Sequence, residues 1–371
     1  GQSFRSASLN AQFSPVAQDF PLIFDPFKSQ TLQPPEGVWE GGNVALKPER
    51  TDAYSAGLVY TPKWLPGFTM TVDWYQLFTR DLIVSAPNFA QLMLTANGNT
   101  TTNVAPFNDG QFYDPDDCGN ASGALSNPGG PALGISRDPA SGALRCIDSM
   151  NENAGKRLVQ GVDVTAVYEL PTERWGKFTF SGGYNHFFTW KAEPLVGNGT
   201  HSFLGTYNNG TIPLAPGALP WNKAFIRGEW EWNHFDFIAT GNYVGDFRDD
   251  NAFLGSDWYR LYDPTFSGGP QRTVPSYITL DLQLSYEWVK PPTEPAPYVK
   301  ESKDSKNAPV TEAATASIWQ RMLWGTKLTV GVNDVFDRYP PSVLGAFNDN
   351  YDTSLYSIRN RYWYVSLTKR F

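Results

Sequence analysis

An all-β, antiparallel, up-and-down membrane barrel is the fold this sequence predicts, on three observations. Apolar and polar side chains alternate along several long stretches. The 24 Phe, 18 Tyr and 13 Trp make up 15% of the 371 residues, while charged residues make up 18%. The links between the alternating stretches are short and long in turn. Amphipathic rings favour membrane–water boundaries, and the charged share lies below the usual ~25%. No stretch approaches ~18 consecutive apolar residues, which excludes a membrane-spanning helix. A spanning strand needs no such run, because its apolar residues alternate with polar ones. The 33 Gly and 29 Pro indicate many turns without reaching the roughly 25–30% of a disordered chain.

The clearest element is YITLDLQLSYEWVK, 277–290. Ile278, Leu280, Leu282, Leu284, Tyr286 and Trp288 fall on one face. Thr279, Asp281, Gln283, Ser285 and Glu287 fall on the other. A helix would scatter both sets, so the segment is a strand with one apolar and one wet side. The same reading sets Phe68, Met70, Val72 and Trp74 against Thr69, Thr71 and Asp73. It sets Val162, Val164, Ala166 and Tyr168 against Asp163 and Thr165, and Phe178 and Phe180 against Thr179 and Ser181. Ile226, Trp230 and Trp232 oppose Arg227, Glu229 and Glu231. Phe235, Phe237 and Tyr243 oppose Asp236, Thr240 and Asn242. Leu328, Val330 and Val332 oppose Thr329 and Asn333, and Trp363, Val365, Leu367 and Phe371 share a parity. These patterns predict nine strands over 53–62, 68–84, 156–170, 177–191, 221–232, 235–248, 275–289, 326–338 and 355–371, with a tenth ending at about 1–6.

Links at 63–67, 172–176 and 233–234 are short. Links at 7–52, 85–155, 192–220, 249–274 and 339–354 are long. A soluble sandwich has no reason for this alternation, whereas bacterial outer-membrane barrels put short turns in the periplasm and long loops outside. One link breaks the rule: 290–325 should be a periplasmic turn but is a long insertion. Its first part, PPTEPAPYVKESKDSKNAP, has a disorder-type composition. Its second part, TEAATASIWQRML, predicts a short helix with Ile318, Trp319, Met322 and Leu323 on one side. The net charge of −8 and the lack of a Lys/Arg block exclude a nucleic-acid partner. Two cysteines and three histidines show no zinc-ligand spacing. The chain opens at Gly1 with no charged-then-apolar leader, as expected where a leader was removed or the start is internal.

Five segments then carry a resemblance to the barrels of TonB-dependent outer-membrane receptors, in that family's order. GQSFRSASLNAQF (1–13) resembles its S-F-R-A-P-S-L strand end, and VALKPERTDAYSAGLVYTP (44–62) its L-x-P-E-x-S…G segment. RLVQGVDVTAVYEL (157–170) resembles R-x-x-G-x-E, with Asp163 where Glu is usual. LTVGVNDVFDRYP (328–340) resembles V-x-N-L-F-D-x-x-Y, and RYWYVSLTKRF (361–371) the closing strand ending in Phe. The resemblance implies a segment of nine to ten strands out of roughly 22, whose full barrel is filled by a plug. The plug and the TonB-contacting box have no counterpart in the sequence. The expected form is therefore an open curved sheet, a fragment made of the C-terminal part of the barrel.

Candidate site residues are weighed on the same footing. Cys118 and Cys146 share one outer loop, and an oxidising compartment favours a structural disulfide over a redox role. Closing about 29 residues would stabilise that loop by roughly 3.6 kcal/mol in the chain-entropy model. Asp109, Asp114, Asp116 and Asp117 could gather calcium, but without EF-hand spacing they read as a solvated loop, as do Asp246, Asp249 and Asp250. No cofactor is expected. The outer loops are rich in rings, among them Phe107, Phe112, Tyr113, Phe203, Tyr207, Phe253, Trp258, Tyr259, Tyr262, Phe266, Phe347 and Tyr351. Such rings either contact a ligand or pack loop on loop. With Arg248 and Arg260, the rings Phe107, Tyr113, Trp258 and Tyr259 form the candidate substrate-binding set. His186, His201 and His234 lie too far apart to form a triad, so no enzymatic activity is expected.

By the resemblance, Phe371 is an assembly signal read by the barrel assembly machinery. Asp73, Asp163, Arg227, Glu229, Asp281 and Glu287 would line the lumen around a plug. The expected function is active uptake across the bacterial outer membrane of a scarce, large nutrient such as a ferric siderophore, cobalamin or a glycan. The partners implied are outer-membrane lipid, the plug, the missing barrel half and the TonB energy-coupling complex. A passive porin-like or adhesive barrel is the alternative.

Overall fold

The computed structural model describes residues 1–25, 28, 30–84, 134–137, 141, 143–194, 200–207, 214, 216–249, 272–289, 317–343, 346 and 350–370. Its frame is one antiparallel sheet. In chain order the strands are β1 (Gln2–Arg5), β2 (Glu49–Tyr60), β3 (Phe68–Val84), β4 (Glu152–Thr172), β5 (Gly176–Glu193), β6 (Asn222–Trp232), β7 (Phe235–Val244), β8 (Tyr277–Trp288), β9 (Thr326–Asn333) and β10 (Tyr362–Lys369). Each pairs with the next, and His201–Ser202 adds a short strand to the end of β5. Among the described residues β1 and β10 do not pair with each other, so the sheet is open.

The register carries the alternation across the whole sheet. Tyr168, Phe180, Gly228, Ala239, Leu282, Val332 and Trp363 lie in one row of directly opposed residues. One residue along, Thr179, Glu229, Ile238, Gln283, Gly331 and Tyr364 form the neighbouring row on the other face. Among the described residues this apolar face is largely uncovered: on β10 Trp363, Val365 and Leu367 are each 70% exposed. Toward the short turns this face carries a band of rings. Phe178 stacks on Trp230 at 6.0 Å, Trp230 on Trp232 at 5.9 Å, Phe235 meets Tyr286 edge-on at 4.9 Å, and Tyr286 meets Trp288 at 4.7 Å. At the opposite end of the same face Tyr184, His186, Phe188 and Trp221 form a second group. Two aromatic bands bounding an apolar strip are what a lipid slab requires at its two interfaces.

The short turns use the backbone each needs. Gly176, after the turn at 173–175, has φ +77°, and a Cβ there would collide with the Glu231 carbonyl. Asn233 supplies the left-handed residue of the two-residue turn between β6 and β7. At the other end β3, β4 and β5 run to 17, 21 and 18 residues. A tilted strand crosses a bilayer in about 9–11 residues, so these three project well beyond it. Their projecting ends carry the hydrophobic core, because the sheet itself has lipid where a soluble sheet would have a second layer. Val84, Val159, Trp190 and Ala192 pack there against Val38, Leu144, Ile147 and Phe203 from the loops.

Several expected boundaries move. The strand expected over 53–62 begins at Glu49, and that over 156–170 spans Glu152–Thr172. The strand expected over 326–338 ends at Asn333, because Asp334 turns left-handed at φ 48° and its N–H donates to Asp281 Oδ1 at 2.8 Å. The segment 235–248 is β7 followed by a separate strand, Phe247–Asp249. The last strand starts at Tyr362 and not at 355. Asp352 accepts the backbone N–H groups of Leu355 and Tyr356, which folds that stretch into a turn. Ile318–Leu323 forms the helix α2. The expected loop 7–52 also holds a helix, α1 (Leu9–Phe13), and four short strands.

The two faces make a direct test possible. Leu282 lies mid-strand on the apolar face and Gln283 beside it on the wet face. Leu282→Arg should lower the unfolding free energy in bilayers by about 2–4 kcal/mol, and Gln283→Arg by much less. Urea titration of the two variants checks this, and equal losses would reverse the assignment of the faces.

Candidate functional site

The wet face is a wall of cross-strand hydrogen bonds. Asn185 Nδ2 donates to Asp163 Oδ1 at 2.6 Å, Asn242 Nδ2 to Asp281 Oδ2 at 3.0 Å, and Tyr364 Oη to Gln283 Oε1 at 3.0 Å. Arg227 pairs with Glu229 at 2.9 Å, Lys327 with Asp236 at 3.1 Å, and Arg370 with Glu287 at 3.4 Å. The charged residues expected to line the lumen are therefore largely engaged with neighbours on their own wall. Four glycines on this face lie under a side chain from the directly opposed residue: Gly57 under Asp73, Gly161 under Tyr75, Gly183 under Phe225 and Gly331 under Tyr364. A Cβ at any of them would enter the covering group, so only glycine admits that close approach.

Near the long-loop end this wall opens into a cleft of about 430 Å³. Strands β7 to β10 contribute Asn242, Thr279, Asp281, Asn333 and Tyr362, and the last loop contributes Tyr356, Arg359 and Asn360. Arg359 lies over the Tyr362 ring at 5.7 Å. Three polar atoms around the cleft are buried and make no hydrogen bond among the described residues: Asp334 Oδ1, Asn360 Oδ1 and the Tyr356 hydroxyl. Burial first, then the Asp352 carboxylate, pushes the Tyr356 hydroxyl above its usual range, so it stays protonated. These three atoms lie beneath the cleft surface, whose accessible polar lining is led by the exposed Arg359. The sequence reading marked Asp281 here and missed Asp334, Tyr356, Arg359 and Asn360. Asp334 lies in the VNDVFD segment, whose family resemblance is a usable signal. The other three meet only through the turn that Asp352 organises.

Above the wall the loops are built structure. Ala17–Asp19, Val38–Glu40, Leu144–Asp148 and Gly134–Arg137 form one small sheet. Ala218–Leu219, Thr206–Tyr207, Phe247–Asp249 and Arg272–Val274 form another. Phe247, Val274, Tyr277, Val343 and Tyr356 make a second apolar cluster beside the latter. Asp352 ties two loops together, accepting from the Ala218 N–H at 2.8 Å and from Ser354 Oγ at 2.6 Å. Asn153 stitches β4 to the segment before β2, donating to the Lys47 and Asp81 carbonyls and accepting from the Lys47 N–H.

Of the candidate substrate-binding set, Arg248 is exposed on the strand Phe247–Asp249, with its N–H bonded to the Gly205 carbonyl at 2.9 Å. Phe107, Tyr113, Trp258, Tyr259 and Arg260 lie outside the described residues, as do Phe371, Cys118 and the acidic residues 109–117. Of the two roles open to the loop rings, Phe203 takes packing: it is fully buried, edge-on to Trp190 at 5.3 Å. Asp249, read as solvated loop, is also fully buried. Its strand is sandwiched between two others, which the local sequence does not reveal. Cys146 is buried and disulfide-bonded. His186 faces outward, its Nδ1 2.7 Å from Asn222 Oδ1. Among the described residues no three His, Cys, Asp or Glu group as metal ligands.

Two measurements test the loop structure. Burial, then the Asp19 carboxylate, pushes Glu40 up to about 7, whereas burial pulls His201 down to about 4 against the opposing pull of Glu193. A raised carboxyl favours the folded loop while protonated. Glu40 therefore stabilises fully below its ordinary 4.5, and that contribution is lost as pH rises through about 7. His201 acts in the opposite sense: its contribution is full above 6.5 and lost as pH falls toward about 4. Hydrogen-exchange protection of Val38–Glu40 should fall between these pH values in the wild type and stay flat in Glu40→Gln. Non-reducing peptide mass spectrometry should find Cys118 joined to Cys146. Cys146→Ser should loosen the outer loops while leaving the membrane strands protected.

The family model described as TonB dependent receptor-like, beta-barrel matches residues 1–293. No curated protein matches the sequence. Among solved structures, the siderophore receptor PirA of Acinetobacter baumannii is similar at 12% identity and TM-score 0.50, over 99% of this chain and 37% of that one. A variant of the ferric enterobactin receptor PfeA of Pseudomonas aeruginosa is similar at 12% identity and TM-score 0.52, over 100% of this chain and 37% of that one. The chain thus spans little more than a third of the length of the receptors whose fold it shares. With two aromatic bands, a wet inner wall and alternating short turns and long loops, it belongs to the TonB-dependent receptor-like β-barrel family of the bacterial outer membrane.

Proposed function

We propose that this chain forms part of the wall and mouth of a receptor that actively imports a scarce, bulky nutrient, with a ferric siderophore as the favoured class ahead of cobalamin or a glycan. The observation that carries the reading is the pair of apolar-cored loop assemblies standing on strands that project beyond the membrane. A passive pore gains nothing from an ordered outer platform of this kind, whereas a receptor needs rigid loops to hold a ligand. The names of the similar solved structures, siderophore and ferric enterobactin receptors, favour the siderophore class. The cleft below the last loop presents the exposed Arg359 guanidinium, with Asn242 and Asn333 beside it, to a ligand or to a plug. Energy would come from the TonB complex through the plug of the complete receptor. The engaged inner-wall residues would then meet the plug through their remaining hydrogen-bonding capacity.

A strain deleted for the complete gene tests this under iron limitation. Restoring the gene should restore growth on a particular ferric siderophore, and removing TonB should abolish it. Uptake that persists without TonB would favour the passive barrel. Within the complete receptor, Arg359→Ala should leave the melting temperature almost unchanged, because the side chain is exposed. It should weaken ligand binding roughly fivefold to tenfold, the loss of one hydrogen bond of about 1 kcal/mol. Unchanged affinity would remove the cleft from the ligand site.

A further inference from the structure

We propose that α2 (Ile318–Leu323) is a membrane-interface anchor that completes the aromatic band at the short-turn end of the barrel wall, its apolar side seated at the lipid boundary. The helix lies in the long link between β8 and β9, and it leaves its large apolar side chains uncovered. Ile318 is 77% exposed, Trp319 74% and Met322 60%. At about 100° per residue these positions share one side of the helix. A single helical turn and a half is not stable on its own in water, so a surface must receive that side.

The contacts place the helix outside the barrel wall. Lys369 shares its sheet face with Leu367, Val365 and Trp363, the lipid-facing parity of β10. Its Nζ donates to the carbonyls of Met322 at 2.6 Å and Trp324 at 2.5 Å, capping the C-terminal end of α2. The adjacent Arg370 has the opposite parity and reaches Glu287 on the wet face. The Gly325 N–H donates to the Trp288 carbonyl and its carbonyl accepts from the Arg370 N–H. The helix therefore leaves the rim at Trp288, one end of the aromatic band.

The band itself shows what is missing there. Around the short-turn end, the outward side chains of β6, β7 and β8 are Trp230, Trp232, Phe235, Tyr286 and Trp288. Trp64 and Trp175 stand exposed in the neighbouring turns. Among the described residues, the same level of β9 and β10 carries Thr326 and Lys369, opposed to each other and bearing no ring. Trp319 on α2 supplies an aromatic side chain at that break. Its neighbour across the rim is already the lipid-facing band, so lipid is the occupant the surface continues into.

The test uses the complete receptor folded into phosphatidylethanolamine/phosphatidylglycerol vesicles. Ile318→Cys is labelled with an environment-sensitive fluorophore, and Glu173→Cys, in an exposed turn at the same end, serves as the aqueous control. Cys146 is disulfide-bonded and does not compete for label. The label at 318 should emit to the blue of the one at 173. Lipid brominated high on the acyl chain should quench it, and iodide in the water should have little effect. Adding Trp319→Ser and Met322→Ser should shift its emission back toward that of 173 and restore iodide quenching. Equal iodide quenching at both sites in the otherwise unaltered receptor would place the helix in water and overturn the proposal. Insensitivity to both quenchers would overturn it too, because protein would then cover the helix, from beneath the lumen or from a second copy.

Discussion

Lipid supplies no hydrogen-bond partner, so each backbone N–H and C=O of a strand that crosses it must be met by the strand alongside. That constraint produces the continuous ladder from β1 to β10 and the strict parity that runs with it. Once the ladder is set, successive side chains fall on opposite faces, and the face toward lipid has to be apolar. The polar residues have the inner face left to them, and there they bond to one another across strands. Asn185–Asp163, Asn242–Asp281 and Lys327–Asp236 are such pairs. The hydrophobic core is displaced as a further consequence. A sheet with lipid on one side and a lumen on the other encloses no apolar interior. The buried apolar clusters form where the strands leave the membrane and the loops can close over their ends.

The family's sequence motifs acquire physical roles in this setting. Glu49, in the LKPE segment, is almost fully buried. It accepts from Arg5 Nε at 2.6 Å and Nη2 at 2.7 Å and from the Ile83 N–H at 3.0 Å. One carboxylate therefore joins the SFR strand end to β2 and β3. Gly161, in the RLVQG segment, lies beneath the Tyr75 ring, and Gly57 beneath Asp73. Each of these glycines lets a neighbouring side chain lie flat across the inner wall, where a Cβ would hold it off. Asp334, in the VND segment, ends β9 by turning left-handed. Its carboxylate accepts from the Arg338 N–H at 2.7 Å, which starts the last loop in a defined direction.

The outer loops divide the work differently from the membrane strands. Their order depends on a few polar side chains that satisfy backbone groups at long sequence distance, Asp352 across to Ala218 and Asn153 across to Lys47 and Asp81. Around these anchors the apolar residues of separate loops meet. Phe203, Val38 and Ile147 share one cluster although they lie far apart in the chain. Among the described residues the result is a platform held together by packing between loops, above a wall held together by the ladder. The mouth cleft lies where the two join, with the wall contributing Asp281 and Asn333 and the platform contributing Tyr356 and Asn360.

Period-two alternation with a lipid-facing parity is a local property, and in this chain it was readable directly. The ten strands, the identity of the two faces, the short turns and the helix around Trp319 follow from residues within a few positions of each other. The ends of β9 and β10 were not readable in that way, because hydrogen bonds from Asp334 to Asp281 and from Leu355 and Tyr356 to Asp352 end the strands there, not any break in alternation. Nor could the sequence choose between ligand contact and loop packing for a ring such as Phe203, since both use the same residue type in the same kind of segment. The burial of Asp249 and the gathering of Asp334, Tyr356 and Asn360 around one cleft belong to the same class. Each depends on which distant loop comes to lie against it. Short-range periodicity determined the wall, and long-range packing decided the site.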